Sequence, residues 1–422
     1  MERHVYEEYL AILKEELVPA LGCTEPIAIA YGAAKAREIL GQMPEEIVVR
    51  CSGNIIKNVK AVIVPTTGDM KGIETSAILG AVGGNAEKKL EVLVDVTDED
   101  LQETRRLLKK KICRVELLEG VSNLQIIVEL KAGEETSLVE IAFSHTNIVR
   151  MEKNGKVLYS KEKKAENASE TDRGLLNLRD IYEFAQTVQI DEVRELIDRQ
   201  LAYNLSIAKE GLTKRYGANV GATILKYYGD DVRNRARALP AAGSDARMNG
   251  CVMPVMINSG SGNQGMTVSL PVAVFADYLF VDKETEYRAL VLSNLMAIYQ
   301  KNELGKLSAY CGAVSAAAGA GAGIAYLHGA DFDVITETMT NTLANVSGIV
   351  CDGAKASCAA KIASSVDAAI MAYYMAANHR GFQNGEGLVK EDAEATIKSF
   401  GRMGREGMRS TDIEILKIML EP

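Results

Sequence analysis

Three cysteines in the C-terminal third stand where thiolate chemistry could be built. Cys351 and Cys358 form a Cys-x6-Cys pair around a glycine turn in VSGIVCDGAKASCAAKIASS, and Cys311 opens the small-residue run CGAVSAAAGAGAGIAYL. Each falls near the start of an expected helix, where free N–H groups and the macrodipole stabilise negative sulfur and lower a thiol's pKa. Iron–sulfur clusters take cysteine thiolates as ligands. Three such ligands on a cubane leave one iron open, and an open iron is a Lewis acid. The competing explanation is that these are small buried hydrophobes in an alanine- and glycine-rich bundle. A Cys-x6-Cys spacing specifies a metal far less than paired Cys-x2-Cys motifs do.

Other segments offer partners for such a site. Gly22-Cys23-Thr24-Glu25-Pro26 sets another cysteine before an expected helix, with Thr24 as a cap and Pro26 in the first turn. Cys23 there could serve as a base, a nucleophile or a ligand, or simply be buried. In Asn258-Ser259-Gly260-Ser261-Gly262-Asn263-Gln264-Gly265, glycines alternate with polar residues, so backbone N–H groups and the side chains of Asn258, Ser259, Ser261, Asn263 and Gln264 can converge on an anion. At the end of an expected strand, Ser52, Asn54 and Lys57 can orient a carboxylate, although a plain polar turn fits equally. His145 follows a strand and is one of four histidines. The run Gly319-Ala320-Gly321-Ala322-Gly323 follows no strand, so close helix packing explains it better than a dinucleotide loop.

The elements that must hold these residues divide the 422-residue chain unevenly. Residues 5–19 and about 24–40 read as helices, and EEIVVRCSGN as a strand running into a turn. The lobe at 90–165 carries the β-like runs LEVLVDV, CRVELLEG, LQIIVELKAG, SLVEIAF and GKVLYSK, with a charged helix at 98–111. Residues 160–175 read as a polar linker, and the remainder as helical. The expected fold is α+β: a mostly helical domain at 174–422, a smaller α+β lobe at 90–165, and residues 1–89 packing with the helical domain and contributing to the active site. Net charge is −9 with no long basic block, which argues against nucleic acid as a partner. The first residues carry no apolar signal-peptide core, and Ala309–Leu327 is too diluted by glycine to read as a membrane span. Seven cysteines, an odd number without an export signal, favour metal or catalytic use over disulfides and a cytoplasmic location. Small-residue helices and this size suit a homodimer.

Taken together, the segments LGCTEPIAIAYG, SGNIIKNVK, VMPVMINSGSGNQG, SAYCGAVSAAAGAGAGIAYL and GIVCDGAKASCAAKIA resemble the L-cysteine desulfidase family over almost the whole chain. The C-terminal half is also similar, more distantly, to the α-region of iron–sulfur L-serine dehydratases. The resemblance implies an oxygen-sensitive [4Fe–4S] lyase that converts a small amino-acid substrate, L-cysteine, to pyruvate, ammonia and sulfide. It implies Cys311, Cys351 and Cys358 as cluster ligands and Cys23 as the base. A rival assignment makes Cys23 the third ligand in place of Cys358. Ser52, Asn54, Lys57, His145 and the Asn258–Gln264 loop are the expected substrate contacts. The chain ends IEILKIMLEP, with no counterpart of the serine dehydratase C-terminal cysteine. Alternatives are the same cluster acting on L-serine, a pyridoxal-phosphate lyase with a lysine such as Lys355 as Schiff base, and a non-catalytic iron–sulfur sensor.

Overall fold

Apolar residues alternate along QIIVELKA, and Ile126, Val128 and Leu130 are accordingly all turned to one face and fully buried. That strand sits at the centre of the smaller half of a computed structural model, which describes residues 1–161, 171–305 and 308–421. Most of the expected polar linker lies outside the described residues.

Helix α1 (Arg3–Glu16) leads to strand β1 (Pro19–Leu21), helix α2 (Thr24–Leu40), strand β2 (Glu46–Ser52) and helices α3 (Gly53–Val59), α4 (Gly72–Gly83) and α5 (Asp98–Lys110). Strands β3 (Cys113–Leu118), β4 (Gln125–Ala132), β5 (Glu135–Ala142), β6 (Ile148–Lys153) and β7 (Lys156–Ser160) follow. Helices α6 (Leu178–Thr187), α7 (Ile190–Thr213), α8 (Val220–Tyr228) and α9 (Val232–Met248) precede the short strand β8 (Pro254–Met256). Beyond it come α10 (Gly262–Tyr278), α11 (Lys283–Leu304), α12 (Gly312–Leu327), α13 (Phe332–Val346), α14 (Cys358–Ala377), α15 (Ala393–Arg402) and α16 (Arg409–Leu420). The fold is α+β, as expected.

The sheet has the order β3-β2-β4-β5-β6-β7, with β2 parallel to β3 and antiparallel to β4. It therefore draws a strand from residues 46–52, outside the lobe delimited from sequence. The apolar run LEVLVDV is not a strand. It forms a 3-10 turn and bends, with Leu90, Val92 and Leu93 all buried. Adjacent residues of an extended strand point to opposite faces, so Val92 and Leu93 cannot both be buried by one face of a sheet. SGNIIKN likewise continues as helix α3 rather than as a turn. Helix α5 starts where a Thr97/Asp100 capping box satisfies its free amides, with acidic residues in the first turn and lysines in the last.

One core joins α1 to the helical body through Tyr9, Leu13, Phe184 and Leu295. A second large core lies between the sheet and α2 and α4, and takes in Ile207, Val255 and Met266 from the helical half. A Cβ on Gly319 would come within 2.6 Å of the Ser293 carbonyl of α11, so the GAGAG run is close helix packing, as the sequence suggests. No helix among the described residues is long and apolar enough to cross a membrane.

Asp245 is fully buried in α9, where Oδ2 accepts from the Gly221 amide at 3.1 Å and Oδ1 has no partner among the described residues. Burial pushes its carboxyl up to about 6, against the partial opposition of the Gly221 and Val220 amides. A carboxyl whose folded pKa exceeds its unfolded value binds more protons when folded, so its contribution to stability is lost as pH rises from about 4 to about 6. Asp245→Asn should therefore raise the melting point at pH 7.5, by the equivalent of about 1–2 kcal/mol. The gain should fade as pH falls toward 4. Thermal melts across that range check this, and an equal gain at both ends would contradict it.

Candidate active site

The site is assembled by a two-strand clasp between the halves. β1 pairs antiparallel with β8 in the register Pro19↔Met256, Ala20↔Val255 and Leu21↔Pro254. This sets the Gly22–Glu25 segment against the Ile257–Ser261 loop, and the Thr24 hydroxyl donates across the gap to the Gly260 carbonyl at 3.0 Å. Arg247, nearly fully buried, ties the same two segments: Nε donates to the Gly22 carbonyl at 2.9 Å and a terminal nitrogen to Asn263 Oδ1 at 3.1 Å. Thr24 is thus not the cap expected of it. Cys23 occupies the N-cap position, without a capping bond from its side chain, and Pro26 does fall in the first turn.

Beneath this clasp lies a cavity of about 450 Å³, lined by Cys23, Cys311, Cys351 and Cys358 together. Cys311 and Cys351 are held side by side. The Cys311 amide donates to the Ile349 carbonyl at 3.1 Å, and the Cys351 amide to the Ala309 carbonyl at 2.6 Å. Cys311 stands at the N-cap position of α12 and Cys23 at that of α2, Cys358 is the first residue of α14, and the Ser261 side chain caps α10. Four helix N-termini therefore face one cavity, and their free amides and dipoles favour an anion there. The turn between Cys351 and Cys358 passes so close to α3 that a Cβ on Gly353, at φ +98°, would meet the Lys57 carbonyl at 2.3 Å. Only glycine fits that approach.

The cysteines do not behave as the helix starts alone suggest. Burial pushes the Cys311 thiol up to about 12, with Cys351 and Cys358 adding to the rise, and burial likewise raises Cys358. Cys23 is raised well above its ordinary value, first by burial and then by the neighbouring Glu25 carboxylate, to which Sγ donates at 3.2 Å. Desolvation of a thiolate outweighs the helix dipole at all three. Burial also works to raise Glu25. His145, Cys23 and Arg247 together outweigh it and hold that carboxylate at about 2. His145 Nε2 lies 3.9 Å from Glu25 Oε1, and it has no hydrogen-bond partner among the described residues. That distance is too long for a hydrogen bond. Lys301 lines the same cavity, and burial pulls its ammonium down to about 8 against the pull of Cys351 and Cys311.

Of the expected substrate contacts, His145, Ser259, Ser261, Asn263 and Gln264 line the cavity. Asn258 does not. Its side chain anchors the loop to Asn294 of α11 at 2.9 Å and accepts from the Ser259 hydroxyl at 2.8 Å. Ser52, Asn54 and Lys57 also lie off the wall. The Ser52 hydroxyl donates to the Asn123 carbonyl at 2.8 Å within the sheet half. Asn54 and Lys57 are bound to Asp412 of α16, and Lys57 Nζ also donates to the Cys351 carbonyl at 3.1 Å. These residues support the cysteine turn from behind. Lys355 is turned away to Asp352 and the Gly353 carbonyl, which leaves it poorly placed for a Schiff base in the cavity. Glu25, Asn58, Arg247 and Lys301 line the cavity without having been singled out from sequence. Only Glu25 and Asn58 fall inside motifs that were.

The family model described as serine dehydratase alpha chain matches residues 87–417. Among similar curated proteins, a UPF0597 protein of Lachnoclostridium phytofermentans is 58% identical over 416 residues, covering 99% of this chain and 100% of its own. A UPF0597 protein of Desulfitobacterium hafniense is 50% identical, covering 100% of this chain and 98% of its own. One of Treponema denticola is 48% identical, covering 100% and 99%. With most of its length matched and full-length relatives at such identity, the chain belongs to the serine dehydratase alpha chain family.

Proposed function

We propose that the chain is an iron–sulfur lyase that removes sulfide from L-cysteine by β-elimination, with Cys311, Cys351 and Cys358 holding a [4Fe–4S] cluster. The observation that carries this reading is the single cavity shared by three mutually interacting thiols, the Cys23–Glu25 pair and the loop at the start of α10. The donor set suits the group: thiolates are the ligands iron–sulfur clusters take, and the converging helix starts favour the negative charge they carry. Among the described residues no three His, Cys, Asp or Glu side chains close on a point that could hold a single metal ion. Cys23 is the less suited ligand, because its thiol is already engaged, donating to the Glu25 carboxylate at 3.2 Å.

When bound, the cluster supplies an open iron as Lewis acid at the leaving sulfur. The chain's own residues do the rest. Ser259, Ser261, Asn263 and Gln264 at the start of α10 receive the substrate carboxylate, where helix amides favour it. Glu25, ionised and buried, faces the α-ammonium. Cys23 Sγ starts protonated against Glu25; its proton passes by way of that carboxylate to the departing sulfur, and the thiolate left behind takes the α-proton, which regenerates the thiol. L-cysteine and water thereby give pyruvate, ammonia and hydrogen sulfide, with the enamine product hydrolysing after release. The family match favours one rival, the same elimination with water leaving L-serine.

Anaerobic reconstitution of the full chain, followed by parallel assays, separates the two. The expected result is iron and acid-labile sulfide bound to the protein, with sulfide and pyruvate released in equal amounts from L-cysteine. Pyruvate from L-serine with little turnover of L-cysteine would replace the desulfidase reading with the dehydratase one. A reconstituted cluster with no turnover of either would leave a sensor.

A further inference from the structure

A buried ammonium needs an anion, because the protein interior does not replace the water it has lost. Lys301 of α11 is 5% exposed and its side chain is on the cavity wall. The other lysines around the cysteine turn are matched: Lys57 by Asp412, and Lys355 and Lys361 by Asp352. Lys301 makes no ion pair and no hydrogen bond among the described residues. Its electrostatic neighbours are the thiols of Cys351 and Cys311 and the ammonium of Lys57. The carboxylate-binding loop, by contrast, is clamped by Arg247.

We propose that Lys301 is the counter-cation of the cluster, a positioning residue that matches the negative charge of the thiolate-bound cubane and so governs how firmly it is held and how readily it accepts an electron. The inference rests on the iron–sulfur reading above and goes beyond it. Three thiolates leave such a cluster with net negative charge, and a buried cation on the same cavity wall offsets it where solvent cannot. Net charge and nearby charges are among the quantities that set an iron–sulfur potential.

The test compares wild type, Lys301→Met and Lys301→Arg as full chains, each both iron-free and anaerobically reconstituted. In the iron-free state at pH 7, Lys301→Met should melt above wild type, because it removes an unmatched buried charge, and Lys301→Arg should not. After reconstitution the order should reverse. Lys301→Met should lose iron to a chelator about tenfold faster or more, as for loss of an outer-shell partner. Its reduction potential should move to more negative values, and Lys301→Arg should restore both. If the reconstituted Met variant keeps the wild-type potential and iron-loss rate while KM for L-cysteine rises, Lys301 serves the substrate carboxylate and the inference fails on its own. A wild-type chain that takes up no iron would remove the reading beneath it as well.

Discussion

Cys23→Ala should leave bound iron and acid-labile sulfide at wild-type levels while lowering sulfide release from L-cysteine by about 10²–10⁴-fold, the range a positioned general base contributes. The split between cluster and turnover is the point of the experiment. Cys23 is 1% exposed and packs with Val62 and Met248, with Cys358 beside them. Alanine removes one sulfur from that packing, so the fold should survive with a stability loss of about 1 kcal/mol. What disappears is the thiol that donates to Glu25 at the cavity wall. Iron analysis, circular dichroism and a sulfide assay on the same preparation read all three quantities. Loss of iron in this variant would transfer Cys23 to the ligand set and release Cys358 from it.

The second large effect is expected at Cys351. Cys351→Ser is nearly isosteric, the position is only half-buried, and the backbone bonds that fix the turn do not involve the sulfur. The metal-free variant should therefore melt close to wild type. After reconstitution it should retain little iron and show little visible absorption, a loss larger than the about 10–100-fold change in metal affinity caused by removing an outer-shell partner. Turnover should fall with it. Full iron content in Cys351→Ser would mean that the cluster, if present, is held elsewhere, and the assignment of the cysteine wall would have to be given up.

How much of this was legible beforehand depends on how far each side chain's partner lies along the chain. Cys311, Cys351, Cys358 and the Ser259–Gln264 loop could be picked out because helix starts and glycine-rich turns are local features, and the structure gathers them at one cavity. Asn54 and Lys57 looked like substrate contacts because their partner, Asp412, is more than 350 residues away, and nothing near them announces it. Arg247 and Lys301 each sit in an otherwise unremarked helical run, and their importance comes from being buried, which only tertiary packing decides. The sign of the thiol shifts was missed for the same reason. A helix start is visible in sequence, whereas the desolvation that outweighs it is not. In the sheet, β2 was recognised as a strand, but its place between β3 and β4 was hidden by the helices that intervene in sequence.

The clasp of β1 with β8 has a consequence for biosynthesis. Translation produces Cys23 early, more than 200 residues before β8 exists to pair with its neighbouring strand, and the last cysteine of the cavity and the Asp412 that braces its turn come later still. Throughout elongation the N-terminal thiol has no finished pocket to occupy. Under the proposed reading, the four-cysteine wall can form only after residue 358 has been made and β8 has paired with β1.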